Sequence, residues 1–107
     1  MTRLDQLIQF HSEDPNDSFV RFALASEYAK LGDDPQARLL FEELVRDDPE
    51  YVGTYYHLAK TCERVGDSLA AINVYKAGIV VANKLSDTHA RAELQSALLE
   101  AEGLGYD

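Results

Sequence analysis

The strongest constraint on this chain is that it repeats itself at an interval of 34 residues. Leu24 and Leu58 are separated by that interval, as are Ala25 and Ala59, Ala37 and Ala71, Phe41 and Tyr75, and Val45 and Ile79. The triplet Leu31-Gly32-Asp33 matches Val65-Gly66-Asp67, and Pro15 precedes Pro49 by the same step. Leu7 falls one period before Phe41, and Phe10 one period before Leu44. A unit this short cannot bury an apolar face alone, so it gains a core by stacking on its neighbours.

Within one unit the apolar residues follow helical spacing. Leu24, Tyr28 and Leu31 fall on one stripe, and Ala37, Leu40, Phe41, Leu44 and Val45 on another. Gly32 between them suits the left-handed position after a helix end. Asp33 or Asp34 then caps the next helix, with Pro35 in its first turn. Gly66 turns the second unit, followed by Asp67 or Ser68 as cap. Small residues at Ala25, Ala37, Ala59 and Ala71 admit close helix pairs, and Phe41 and Tyr75 fill the space between pairs. Asp47-Asp48-Pro49 ends a helix, because the residue before proline avoids helical geometry.

These residues resemble the tetratricopeptide repeat family, whose unit of about 34 residues is helix, turn and helix. The first unit, 18–51, carries Leu24, Ala25, Tyr28, Gly32, Ala37, Phe41 and Pro49 at the family's marked positions. It departs at Arg21, where a large aromatic is usual, and at Leu44, where alanine is usual. The second unit, 52–85, carries Tyr55, Leu58, Ala59, Gly66, Ala71, Tyr75 and Gly78. It departs at Cys62 and at Asn83, where the closing proline is missing, so its second helix is expected to run on towards Lys84. The resemblance implies an all-α fold of antiparallel helix-turn-helix repeats, stacked as a right-handed α-solenoid.

The flanks complete a single domain. Residues 2–17 read as a half repeat whose helix presents Leu4, Leu7, Ile8 and Phe10. Residues 86–102 read as a capping helix with Ala90, Leu94, Ala97, Leu98 and Ala101 on its apolar side and Arg91, Glu93, Ser96, Glu100 and Glu102 on its polar side. End helices with one polar face keep such stacks soluble. Six helices are expected, near 2–11, 18–31, 34–47, 52–65, 68–84 and 87–102.

Composition narrows the function. With 19 acidic and 10 basic side chains the net charge is -9, which disfavours phosphate backbones and hence nucleic acid. No segment approaches the roughly 20 apolar residues of a membrane span. The start of the chain lacks a signal-peptide run, and the single Cys62 precludes an internal disulfide, so a soluble, cytoplasmic protein is expected. His11, His57 and His89 lie far apart, Cys62 sits at a packing position, and no acidic pair has calcium-loop spacing. Neither metal nor cofactor is expected, and no set of residues points to catalysis.

Binding of another protein is the leading expectation. The family's ligand-facing positions recur on the first helix of each pair. The resemblance places them at Phe19, Phe22, Ala23, Ser26, Ala29 and Lys30, and at Gly53, Tyr56, His57, Lys60, Glu63 and Arg64. Helical spacing groups Phe19, Phe22, Ser26, Ala29 and Lys30 on one face, and Tyr56, Lys60 and Arg64 at steps of four. The expected partner-binding groove comprises Phe19, Phe22, Ser26, Lys30, Tyr56, His57, Lys60 and Arg64, with Arg91 extending it. Its ligand would be a protein or peptide with an aromatic or aliphatic anchor and a carboxylate. The family's carboxylate clamp uses asparagine and lysine. Here Ser26 and Lys60 hold its asparagine position and Phe22 and Tyr56 one of its lysine positions, which argues against chaperone-tail specificity. A competing reading packs Phe19 and Phe22 on the N-terminal helix and leaves the cations solvated. A second function class is self-association into a homo-oligomer, with Tyr51, Tyr55 and Val80 left partly uncovered.

Overall fold

A computed structural model describes residues 1–103. Six helices run antiparallel in sequence: α1 Arg3–Glu13, α2 Ser18–Lys30, α3 Asp34–Asp47, α4 Gly53–Arg64, α5 Ser68–Lys84 and α6 Thr88–Ala101. Each helix packs on the next along the chain, and α2 also meets α4, as α4 meets α6. The result is an elongated stack of 48 × 29 × 19 Å. Helix α5 does continue to Lys84, as the missing proline implies. Helix α1 runs two residues past its expected end, because nothing breaks it before Asp14-Pro15.

The turns follow from a few residues. Asp33, Asp67 and Asp87 cap α3, α5 and α6 by accepting from the backbone N–H groups of Gln36, Ala70 and Ala90. Gly32 and Gly66 stand at φ +86° and +83°, where glycine carries no side-chain penalty. The α5–α6 turn copies this geometry: Asp87 N–H donates to Ala82 O at 2.9 Å, as Asp33 does to Tyr28 O and Asp67 to Cys62 O. Yet its left-handed residue is Ser86, at φ +56°.

The core joins Ala25, Ala37, Phe41, Tyr55, Leu58, Ala59, Cys62, Ala71, Tyr75 and Leu94. At Gly78 an added Cβ would lie 2.6 Å from Tyr55 Cβ and 3.0 Å from Leu94 Cδ1, so α4, α5 and α6 meet there without room for a methyl group. Three expectations are corrected. Tyr55 is not left uncovered: it is 3% exposed, because α5 and α6 close over it and its hydroxyl donates to Pro49 O at 2.6 Å. Leu31 is exposed, since it follows the last helical residue and leaves the stripe of Leu24. Phe10 is exposed as well, although Leu44, one period later, is fully buried. Among the described residues, α1 packs only on α2, so nothing covers the side of α1 that carries Phe10.

Arg21 is buried in place of the family's aromatic. Its guanidinium donates to Pro15 O and to Asp47 Oδ2, each at 2.7 Å, and tethers the α1–α2 loop to the end of α3. Arg46 and, second, Arg21 hold the Asp47 carboxyl down at about 2.

Candidate functional site: the concave groove

Helices α2 and α4 lie side by side, and their facing surfaces enclose a hollow of about 370 Å³ with Phe41 of α3 at its floor. Ser26, Ala29 and Lys30 line it from α2, and His57, Thr61 and Arg64 from α4. Both sets recur at three- and four-residue spacing, which places each on one helix face. Four of the expected groove residues therefore meet here: Ser26, Lys30, His57 and Arg64.

The polar groups differ in how far they are engaged. Arg64 Nε binds Asp34 Oδ1 at 3.0 Å and Nη2 binds Thr61 Oγ1 at 3.0 Å, while Nη1 has no partner among the described residues. Lys30 makes no ion pair among the described residues and is exposed. The Ser26 hydroxyl is buried and unpartnered. An unpaired buried hydroxyl is costly, and such a group gains when a ligand supplies the missing hydrogen bond.

An aromatic cluster borders the hollow. The Phe22 ring lies 5.8 Å from Phe41, 5.7 Å from Tyr51 and 5.2 Å from His57, the last edge-on. Tyr56 stands 5.7 Å from His57. His57 is open to solvent at its outer edge, but these walls exclude enough water to lower its imidazole below the usual value. Glu93 opposes that shift and Arg64 adds to it.

The other expected residues sit differently. Lys60 and Tyr56 belong to an adjoining set, in which Lys60 Nζ lies 5.5 Å from the Tyr56 ring centroid and 3.6 Å from Glu63 Oε2. The Tyr75 hydroxyl donates to the Glu63 carboxylate, and burial pushes its pKa up. Phe19 does not line the hollow and is 68% exposed. Phe22 packs on α3 and α4 residues instead. Arg91 turns to Asn83, with Nη1 at 3.4 Å from Oδ1. Sequence reasoning missed the acids that engage the cations, Asp34 on Arg64 and Glu63 on Lys60. The signal was present for Glu63, three residues from Lys60 on one helix. It was weaker for Asp34, which opens a different helix.

Among the described residues, no cluster of three or more His, Cys, Asp or Glu side chains is placed to hold a metal ion. Cys62 is buried, and that burial pushes its thiol pKa up, away from a nucleophile's thiolate. No helix among the described residues is long and apolar enough to cross a membrane.

Paired antiparallel helices, a repeated turn and a groove on the first helices define a helical-repeat protein. Two structures of a tetratricopeptide repeat domain protein from Salinibacter ruber identify the repeat. The solution structure is 49% identical, covers 88% of this chain and 95% of that one, and superposes with a TM-score of 0.80. The crystal structure is 50% identical over 82% of this chain and 98% of that one, with a TM-score of 0.78. The chain belongs to the tetratricopeptide repeat family. The fold is also shared with the TPR2B domain of yeast Sti1, solved in complex with pHsp70. That domain is 18% identical, over 94% of this chain and 80% of that one, with a TM-score of 0.87. No family model matches the sequence, and no curated protein matches it.

Proposed function

We propose that this chain is a non-catalytic protein-interaction module that holds a peptide segment of a partner along the groove between α2 and α4. The observation that carries this reading is the convergence of Lys30, Arg64 Nη1 and the unpartnered Ser26 hydroxyl around an apolar hollow floored by Phe41. A few placed polar groups in an otherwise apolar concavity are what ligand recognition requires. The ligand chemistry that fits is an aromatic or aliphatic anchor against Phe22 and Tyr56, followed by a carboxylate near Lys30 and Arg64. Aromatic anchors and arginine dominate most binding interfaces. Titration of acidic peptides bearing one aromatic anchor tests it, with wild type compared against Lys30→Glu/Arg64→Gln. The double variant is expected to bind at least about tenfold more weakly; equal affinity rejects the groove.

A second reading is self-association, favoured by the exposure of Leu69 and Val80 on α5. Sedimentation over a range of concentrations decides it: a strict monomer excludes it.

A further inference from the structure

His57 lines the α2–α4 hollow, yet recognition of a carboxylate by Lys30 and Arg64 leaves it without a role. Aromatic walls surround its ring. Phe22 and Tyr56 meet it edge-on at 5.2 and 5.7 Å, and Phe41 stacks with it at 6.2 Å. Among the described residues neither ring nitrogen makes a hydrogen bond. The side-chain bond that His57 accepts, from Thr61 Oγ1 at 2.8 Å, goes to its backbone carbonyl.

The helix brings Arg64 to the same place. Arg64 follows His57 by two turns on one face of α4. Its Nη2 donates to Thr61 Oγ1 at 3.0 Å, so the guanidinium lies back over Thr61, one turn from His57. One turn rises about 5.4 Å. Charge-assisted hydrogen bonds are about 2.7–2.9 Å long. A carboxylate seated over Thr61 can therefore accept from the guanidinium on one side and the imidazole on the other. Lys30 closes the hollow from α2.

The surrounding charges decide which form His57 takes. On α2 the charged group is Lys30, which has no ion pair among the described residues. On α3 it is Asp34, held by Arg64 Nε at 3.0 Å. On α4 they are Arg64 and, beyond Tyr56, Lys60 with its partner Glu63. On α6 it is Glu93. No described residue of α1 or α5 lines the hollow. Burial is the main cause that keeps the imidazole neutral; Glu93 opposes it and Arg64 adds to it. A third cation beside Lys30 and Arg64 has little to offset it until an anion enters. The aromatic walls then favour the imidazolium as well, because ring faces attract a cation.

We propose that His57 is a third ligand for the peptide's carboxylate, beside Lys30 and Arg64, and that it binds as the imidazolium, taking one proton from solvent as the peptide enters. This role rests on the peptide-binding reading of the groove and makes its grip depend on pH. A bound carboxylate raises the proton affinity of the imidazole. Binding therefore tightens as pH falls through the imidazole's midpoint in the complex, and levels off below its midpoint in the free chain. Each unit between the two midpoints is worth about tenfold in affinity.

The test is calorimetric titration of the full chain with acidic peptides that carry one aromatic anchor, in two buffers of different ionisation enthalpy. Amidated peptides with asparagine for aspartate and glutamine for glutamate serve as controls. Affinity for the acidic peptides is expected to rise about tenfold from about pH 8 to about pH 5.5, a range in which their own carboxylates stay ionised. Close to one proton is taken up per peptide near the middle of that range, and none with the controls. His57→Gln still binds through Lys30 and Arg64, but without proton uptake or pH dependence. Imidazole proton shifts of the wild type keep the test independent of that variant: the His57 midpoint rises when peptide is added. An affinity that ignores pH, an unmoved His57 midpoint, or a pH dependence that survives His57→Gln overturns the role of His57. If Lys30→Glu/Arg64→Gln still weakens binding in that case, the groove reading stands without it. Failure of every acidic peptide to bind, or equal binding by that double variant, removes the groove reading and the role of His57 together.

Discussion

Arg21 and Tyr55, 34 residues apart, make the same hydrogen bond with different chemistry. The Arg21 guanidinium donates to Pro15 O at 2.7 Å, and the Tyr55 hydroxyl donates to Pro49 O at 2.6 Å. The two prolines are themselves one period apart. Each donor pins the loop that leads into its own repeat. Arg21 does more, since it also reaches Asp47 at the end of α3 and carries a buried charge.

Truncating Arg21 therefore removes a buried guanidinium and frees the α1–α2 loop, while Asp47, half-exposed, keeps its water and Arg46. Arg21→Ala is expected to cost about 1.5–3 kcal/mol, the usual worth of a hydrogen bond made by a charged group. Urea unfolding measures it, and a loss below about 1 kcal/mol would show that the pair behaves as a surface contact.

The same pair gives an acid dependence. Asp47 is held at about 2 against an ordinary 3.8. A depressed carboxyl stabilises the fold fully above 3.8, and that contribution is lost as pH falls towards 2. Because Arg46 is the larger cause, Arg21→Ala is expected to raise the Asp47 pKa only part of the way. Carbon-detected carboxyl titration reads this directly.

Gly78 is a second test of packing. Alanine would gain about 1 kcal/mol of helix propensity over glycine. Its Cβ, however, would stand 2.6 Å from Tyr55 Cβ, an atom fixed to the backbone of α4. Overpacking costs about 1–3 kcal/mol, so Gly78→Ala is expected to lower the melting temperature. An increase would mean that α4 and α5 separate freely.

Ser86 is the opposite case. It holds φ +56° in a turn whose counterparts, Gly32 and Gly66, are glycines. A left-handed residue with a Cβ costs about 1–2 kcal/mol, partly offset by the greater unfolded-state entropy of glycine. Ser86→Gly is expected to stabilise the fold, which thermal unfolding measures; a loss of stability would assign the Ser86 side chain a structural role.

His57 links the groove to pH. Burial lowers its pKa from 6.5. The unfolded chain then takes up the proton first, so stability is complete above 6.5 and declines as pH falls through the folded value. His57→Gln is expected to flatten that decline. Proton chemical shifts of the imidazole check the direction, and a midpoint above 6.5 would contradict the apolar setting of Phe22, Phe41 and Tyr56.

Much of this was legible because the period is a packing statement. Ala25 and Ala59, Ala37 and Ala71, and Phe41 and Tyr75 recur where helices touch, so the helices, turns and core followed from spacing. The capping Asp33 and Asp67 followed from their place beside glycine. What spacing could not show is where long side chains end. Arg21 looked like a flaw in the pattern and proved a hydrogen-bonding substitute for tyrosine. Lys60 and Arg64 sit four residues apart, yet one turns to Glu63 and Tyr56 and the other to Asp34. Phe10 looked like core because Leu44 is core, but burial depends on a neighbouring helix that α1 lacks among the described residues.

The most direct test of the interaction reading is a hydrogen-exchange footprint of the chain with a partner captured on it. The groove account expects protection on α2 and α4, concentrated around Ser26, Lys30, His57 and Arg64. Protection confined to the outer faces of α3 and α5, with α2 and α4 unchanged, would contradict it.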